Sequence, residues 1–386
     1  MTPFLKKSTC FTIAIFPLAS FAAQLEISTA NKLPLARTSQ TIELTAKDLE
    51  PLAAKNLNLV HVKDASGNEL VCQAIDHDGD PLRTFDAVIF QSDFTAGETK
   101  TFTATVGAKQ VYQKEQYKAF GRFVRERFDD FTWENDLIAH RTYGKALETW
   151  KGEPLTSSTI DIWSKRTPRM VISDWYLADD YHVDHGEGAD FYSAGLSRGC
   201  GGSGLWWNDK LWVSKNFISS NVLANGPIRV LFELKYEPFA VGDLKVGETK
   251  RISLDAGQQF DRFESRYELP GPDTLVTAIG LKKVAGEKVE ANAGQGWLVK
   301  WEKMEKGAGN QGLAIIVRPQ DFLNSTQDPL NQLVIEKVND GNVAIWWAGF
   351  CWDKAGRFND AEAWKKHVSE FSQGLASPVE VTVTSP

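Results

Sequence analysis

A chain of 386 residues with 42% apolar and 24% charged side chains has the composition of a folded globular protein, with room for one large β core or two smaller domains. Its net charge of −7 disfavours nucleic acid and anionic membrane surfaces as partners. Thirteen tryptophans are a surplus that core packing or ligand contact has to explain.

The first 23 residues read as a cleavable secretory signal. Lys6 and Lys7 form a basic region, residues 11–21 an apolar core, and Ser20-Phe21-Ala22 offers small residues for cleavage. The apolar run is shorter than the roughly 20 residues that membrane insertion needs. Cys10 precedes it, where a lipoprotein anchor would not lie. A periplasmic or secreted protein is expected, with a net charge near −9 once Lys6 and Lys7 are removed. Cys72, Cys200 and Cys351 remain, an odd number that rules out a disulfide framework and allows one bridge at most.

Residues 24–108 read as an N-terminal β region. Runs at 59–62 and 70–72 flank Ser66-Gly67-Asn68, a hairpin turn signal, and residues 99–106 alternate as a strand. Polar residues 109–116 form a linker into a main domain at 117–386. There Val230, Phe232, Leu234 and Tyr236 alternate with polar neighbours, as a half-buried antiparallel strand does. Further strands are expected near 261–269, 274–281, 296–301, 313–317, 333–338 and 343–347. Ala361, Trp364, Val368 and Phe371 share one helical face, and residues 379–383 return as a last strand. Many strands in series predict a mainly β fold, a large antiparallel sandwich.

Three segments carry chemistry. Residues 175–207 hold His182, His185, Asp179, Asp180, Asp184, Glu187, Asp190, Tyr181, Tyr192, Trp175 and Arg198 among seven glycines. Unpaired charge is costly to bury and glycine breaks regular structure, so these groups are expected on loops around a polar, hydroxyl-rich ligand. A histidine can pass protons near neutral pH, with Glu187 or Asp184 to orient it. Residues 126–145 add Trp133, Glu134, Asn135, Asp136, His140 and Arg141; on a helix, Asp136, His140 and Arg141 would share a face. Residues 161–166 (DIWSKR) read as a strand turning Asp161, Trp163 and Lys165 toward a cleft. Trp133 and Trp175 are the tryptophans expected to stack on sugar. His182 and His185 lack an HExxH frame; grouped acids make calcium a better candidate cation than zinc, with no metal certain.

Four stretches, ERFDDFTWENDLIAHRTYGKAL, STIDIWSKR, DWYLADDYHVDHGEGADFYSAGLSRGCGGSGLW and WWAGFCWDKAG, resemble the family described as domain of unknown function DUF4861. The similarity spans most of the mature chain. It implies a galactose-mutarotase-like β-supersandwich, an oligosaccharide ligand, and a setting of pectin and other uronic-acid glycans; it transfers no catalytic residues. The expected function is therefore acid–base chemistry on uronic-acid oligosaccharides. His182, His185, Glu187, Tyr181, Asp136 and His140 are the catalytic candidates. Trp133, Glu134, Asn135, Arg141, Lys165, Trp175, Asp190, Tyr192 and Arg198 are the substrate-binding candidates. A lyase is favoured, with a mutarotase or epimerase, a hydrolase using paired carboxylates, or a non-catalytic glycan binder as alternatives. The 135–141 and 182–190 segments are expected to line one cleft.

Overall fold

A computed structural model describes residues 23–385 apart from 81, 83, 153–154, 179 and 270–274. Residues 1–22 of the expected signal segment and Asp179 lie outside the described residues. The N-terminal unit is a small sandwich. One sheet runs in the order Glu380–Thr384, Gln24–Ala30, Thr99–Val106, Val60–Asp64, and the other Arg37–Thr45, Ala87–Phe94, Cys72–Ile75. Alternation drives it: Phe102 and Ala104 are buried while the threonines between them face outward, and they meet Leu25, Ile27, Val62 and Phe90 in one core. The last strand thus belongs to the N-terminal unit, although its place in sequence assigns it to the main domain; its partner is Gln24–Ala30.

The turn at 66–68 forms, with Gly67 at φ +84° and the Asp64 carboxylate accepting from the Ser66 and Asn68 amides. Its arms do not continue as a hairpin. Past a single Lys63–Glu69 bridge, Val60–Asp64 and Cys72–Ile75 join opposite sheets, because each buries its apolar side from its own layer.

The main unit is built on an eight-stranded antiparallel sheet, ordered Phe217–Asn225, Arg229–Val241, Leu244–Asp255, Phe260–Glu268, Val343–Trp352, Asn310–Val317, Trp297–Lys303, Lys288–Asn292. Two five-stranded sheets cover its inner face. A facing sheet contains Cys200–Trp207, Val276–Lys282 and Asn331–Lys337; a small sheet runs Gly188–Ala189, Asp161–Lys165, Ala139–Thr142, Asp130–Asn135, Ala119–Val124. Phe131, Trp133, Ile162, Leu205 and Ile279 from the covering sheets interlock with Val230, Phe232, Phe263 and Trp346 from the large one. The mainly β sandwich read from the sequence is the fold observed.

The expected helix, Ala361–Ala376, starts where Asp360 accepts from the Ala363 amide at 2.9 Å. It lays Trp364 and Val368, both fully buried, on the outer face of the large sheet against Phe260, Val299 and Ile316. Cys72, Cys200 and Cys351 are buried free thiols. Among the described residues no helix is long and apolar enough to cross a membrane.

Candidate active site

The small sheet decides the site. Because successive strand residues face opposite ways, Phe131, Trp133, His140 and Ile162 go into the main core, while Asp130, Arg141, Asp161 and Trp163 face outward. That outward face is roofed by the short helix Ile172–Ala178 and by the glycine-rich loop that follows it.

Under the roof, Arg141 is the hub. Its Nε donates to Asp161 Oδ2 at 2.7 Å and its Nη2 to Asp190 Oδ2 at 2.8 Å, with Asp130 Oδ2 3.9 Å from Nη1. Tyr143 OH donates to Asp161 (2.7 Å) and Tyr176 OH to Asp130 (3.0 Å). Arg127 lies 3.3 Å from Asp130 and donates to the Tyr181 hydroxyl. Trp163 and Tyr181 stack at 4.9 Å, and the Arg141 guanidinium lies 5.5 Å from the Trp163 ring and 5.4 Å from the Tyr181 ring. His182 sits at the mouth: its side chain is 62% exposed, its Nδ1 is 3.1 Å from the Asp190 carbonyl and 3.5 Å from Asp190 Oδ2. A relay thus runs from solvent through His182 and Asp190 to Arg141.

Burial perturbs this network, as catalytic sites often show. Desolvation pushes Asp130 up to about 6, against the pull of Arg141 and Arg127. Burial and the neighbouring Asp161 raise Asp190 well above the usual carboxylate range. Burial alone would lower Arg141; Tyr143, Asp190 and Asp161 outweigh it and hold the guanidinium charged. Tyr143 and Tyr176 are raised by burial.

A folded Asp130 that keeps its proton to about pH 6 stabilises the fold fully below the unfolded value near 3.9, and that stability is lost as pH rises through 6. The two-unit gap corresponds to about 3 kcal/mol. Asp130→Asn is expected to gain that much relative to the native chain between pH 4 and 7, measured by denaturant unfolding. An unchanged difference across that range would mean Asp130 is ionised throughout.

Other expected site residues lie elsewhere. His185, 68% exposed, pairs with Asp180 at 3.2 Å. Glu187 is held by Arg169 in a two-bond fork (2.9 and 2.6 Å), which lowers its pKa and removes it as a partner for His182. No helix forms over 136–141. Asp136 lies in a turn and accepts from the Gly257 amide, whereas His140 is buried, stacked 5.1 Å from Trp133 and 2.9 Å from Asp261 Oδ2. Trp133 is fully buried and donates to Asp261 at 2.7 Å; it is core, not a sugar platform. Asn135 holds its turn by accepting from the Leu137 and Ile138 amides. Glu134 accepts from Lys165 (2.7 Å) and from the Val171 and Ile172 amides, so the pair anchors the segment leading into the roof helix. Arg198 and Tyr192 are buried, Arg198 donating to the Ser158 carbonyl at 3.2 Å. Trp175 is half-buried, stacked 5.7 Å from Trp163.

The 135–141 and 182–190 segments do meet, through Arg141 and Asp190, but as a buried network rather than an open cleft. Asp130, Tyr143, Tyr176 and Arg127 were missed. For Asp130 the signal was present in the alternation of Asp130, Thr132 and Glu134 along one strand. Beside the network a cleft of about 150 Å³ is lined by Lys165, Arg166, Phe350, Trp352 and Phe358, with the Arg166 guanidinium 4.8 Å above the Trp352 ring. Among the described residues, the carboxylates that gather closely enough for a cation are Asp76, Asp78 and Asp86 in the N-terminal unit, not those of the His182–Asp190 loop.

Compared with known proteins, the chain is 33% identical over 373 residues to the uncharacterized protein P7 of Formosa agariphila, covering 92% of this chain and 93% of that protein. In fold it is similar to an alpha-mannosidase from Enterococcus faecalis V583, with a TM-score of 0.52 at 10% identity over 94% of this chain and 46% of that one. A second Enterococcus faecalis structure, a protein in the glycosyl hydrolase family 38, gives 0.47 at 11% identity over 94% and 47%. The chain spans about half the length of these solved structures. The model of the family described as Domain of unknown function (DUF4861) matches residues 29–381, and the chain belongs to that family.

Proposed function

We propose that the protein is an exported carbohydrate-active enzyme that works on uronic-acid oligosaccharides by acid–base chemistry, with β-elimination as its reaction. The observation that carries this reading is the coupling of solvent-facing His182 through Asp190 to Arg141. A histidine whose Nδ1 donates to a carbonyl, as His182 does to Asp190, is suited to proton abstraction, since that bond orients the ring and leaves Nε2 as the basic nitrogen. In the proposed step His182 takes the proton from C5 of the uronate. The C4–O bond breaks as the C4–C5 double bond forms, and the Tyr181 hydroxyl, whose ring lies 4.6 Å from the imidazole, protonates the leaving oxygen. Arg166, above Trp352 in the adjoining cleft, takes the substrate carboxylate in exchange for Asp184, with which it is paired in the free protein. The fold shared with an alpha-mannosidase is compatible with a sugar ligand.

The test is an ultraviolet assay of the mature protein on polygalacturonate, rhamnogalacturonan and unsaturated oligouronides. Rising absorbance from the conjugated double bond is the expected result. Falling absorbance would replace elimination with hydrolysis or isomerisation of unsaturated sugars. A second reading, glycan binding without turnover, is favoured by the burial of Asp190, Arg141 and Asp161, each no more than 3% exposed. A flat trace with measurable glycan affinity would select it.

A further inference from the structure

A larger groove, about 500 Å³, lies between the N-terminal unit, the outer face of the large sheet and the helix Ala361–Ala376. That volume is within the range of small-ligand sites. None of its lining residues belongs to the His182–Arg141 network. Its charges are unbalanced. Arg229 is neutralised by Asp255 (2.6 and 2.9 Å) and Glu43 (3.0 Å), and Arg262 by Glu264 (2.7 Å). Arg37 is different. It is 8% exposed, and its guanidinium donates to neutral oxygens: Gln40 Oε1 at 3.4 Å, the Gly374 carbonyl at 3.2 Å and the Ser377 carbonyl. Its Nε has no partner, and no carboxylate among the described residues forms an ion pair with it. Arg357, exposed where this groove borders the smaller cleft, also forms no ion pair among them. His367 adds no charge at neutral pH, because burial brings its pKa down to about 4. Glu370 is engaged by Lys366 at 3.7 Å.

A buried guanidinium without a counter-ion is costly, and it is relieved when an anion arrives. Half-buried Trp347 and Phe371 supply flat apolar surface next to the two free cations. Cation plus aromatic wall fits a ring that carries a carboxylate better than a neutral sugar or a bare inorganic anion.

We propose that this groove is a second saccharide site, in which Arg37 and Arg357 hold the carboxylate of an acidic sugar and Trp347 stacks on its ring. The ligand class rests on the acidic-glycan reading above, whereas the place does not. The N-terminal unit supplies Arg37, so the site exists only when both units are assembled.

Titration calorimetry with digalacturonate and with a neutral galactose disaccharide tests it, on the mature native protein, Arg357→Ala, Trp347→Ala and His182→Ala. Digalacturonate is expected to bind the native protein and His182→Ala alike. It should bind Arg357→Ala and Trp347→Ala at least tenfold more weakly, and the neutral disaccharide should bind the native protein at least tenfold more weakly than digalacturonate does. Trp347 lines this groove and not the smaller cleft, so its variant separates the two. Equal affinity in Arg357→Ala, loss of binding in His182→Ala alone, or no binding to the native protein would overturn the proposal. Binding that persists in a protein without turnover leaves this site standing and overturns only the catalytic reading.

Discussion

Replacing Arg141 with methionine is expected to destabilise the protein by about 3–5 kcal/mol, the scale for removing one partner of a buried ion pair. Three carboxylates, Asp130, Asp161 and Asp190, converge on this guanidinium, and each is no more than 3% exposed. Methionine fills much of the volume but leaves the carboxylates with Arg127 as the nearby cation, at the Asp130 end. They would answer by binding protons, so the deficit should shrink as pH falls toward the value of about 6 that Asp130 already has and widen above it. Arg141→Lys keeps the charge but not the fork that spans Asp161 and Asp190, and should fall between the two. The measurement is chemical denaturation at several pH values. A loss below about 1 kcal/mol at neutral pH would show that the carboxylates are already neutral and that the hub is not an ionic network.

His182→Ala should have the opposite profile: turnover reduced by roughly 10²–10⁴, the usual contribution of a general base, with stability changed by no more than about 0.5 kcal/mol. The reason is exposure. The His182 ring is 62% exposed and touches the fold through Asp190 and the Tyr181 ring, so little packing is lost with it. His185→Ala is the matched control, since His185 faces solvent beside Asp180 and should leave turnover unchanged. Equal loss in both variants would point to general charge around the loop. No loss in either would remove His182 from the mechanism.

Strands were legible wherever one face is buried and the other wet. Val230–Phe232–Leu234–Tyr236 shows that period directly, and the helix Ala361–Ala376 shows its own through Trp364 and Val368. The stretch 126–145 left helix and strand open, because isolated spacings of four and five also suit a helix. In the structure it is two strands joined by a turn that Asn135 pins, which sends His140 into the core and Arg141 to the other face. The two neighbours in sequence therefore have unrelated roles, and only strand alternation separates them. Likewise the residue types of the 175–198 loop marked it as a place for chemistry. They did not tell His182, coupled to Asp190, from His185, which faces solvent, nor reveal that Glu187 is taken by Arg169.

By itself the sequence determined the β-sandwich, the closing helix and the segments where polar chemistry gathers, because these follow from periodicity and composition, which are local properties, while its four long motifs marked the family by resemblance. Only the tertiary structure decided which charges are partners. Arg141 meets Asp161 and Asp190 from 20 and 49 residues away, and Arg37 lies against the Gly374 carbonyl across 337. Pairings at such separations are set by how sheets stack and which faces they seal from water, and burial then fixes the charge states on which any chemistry here depends.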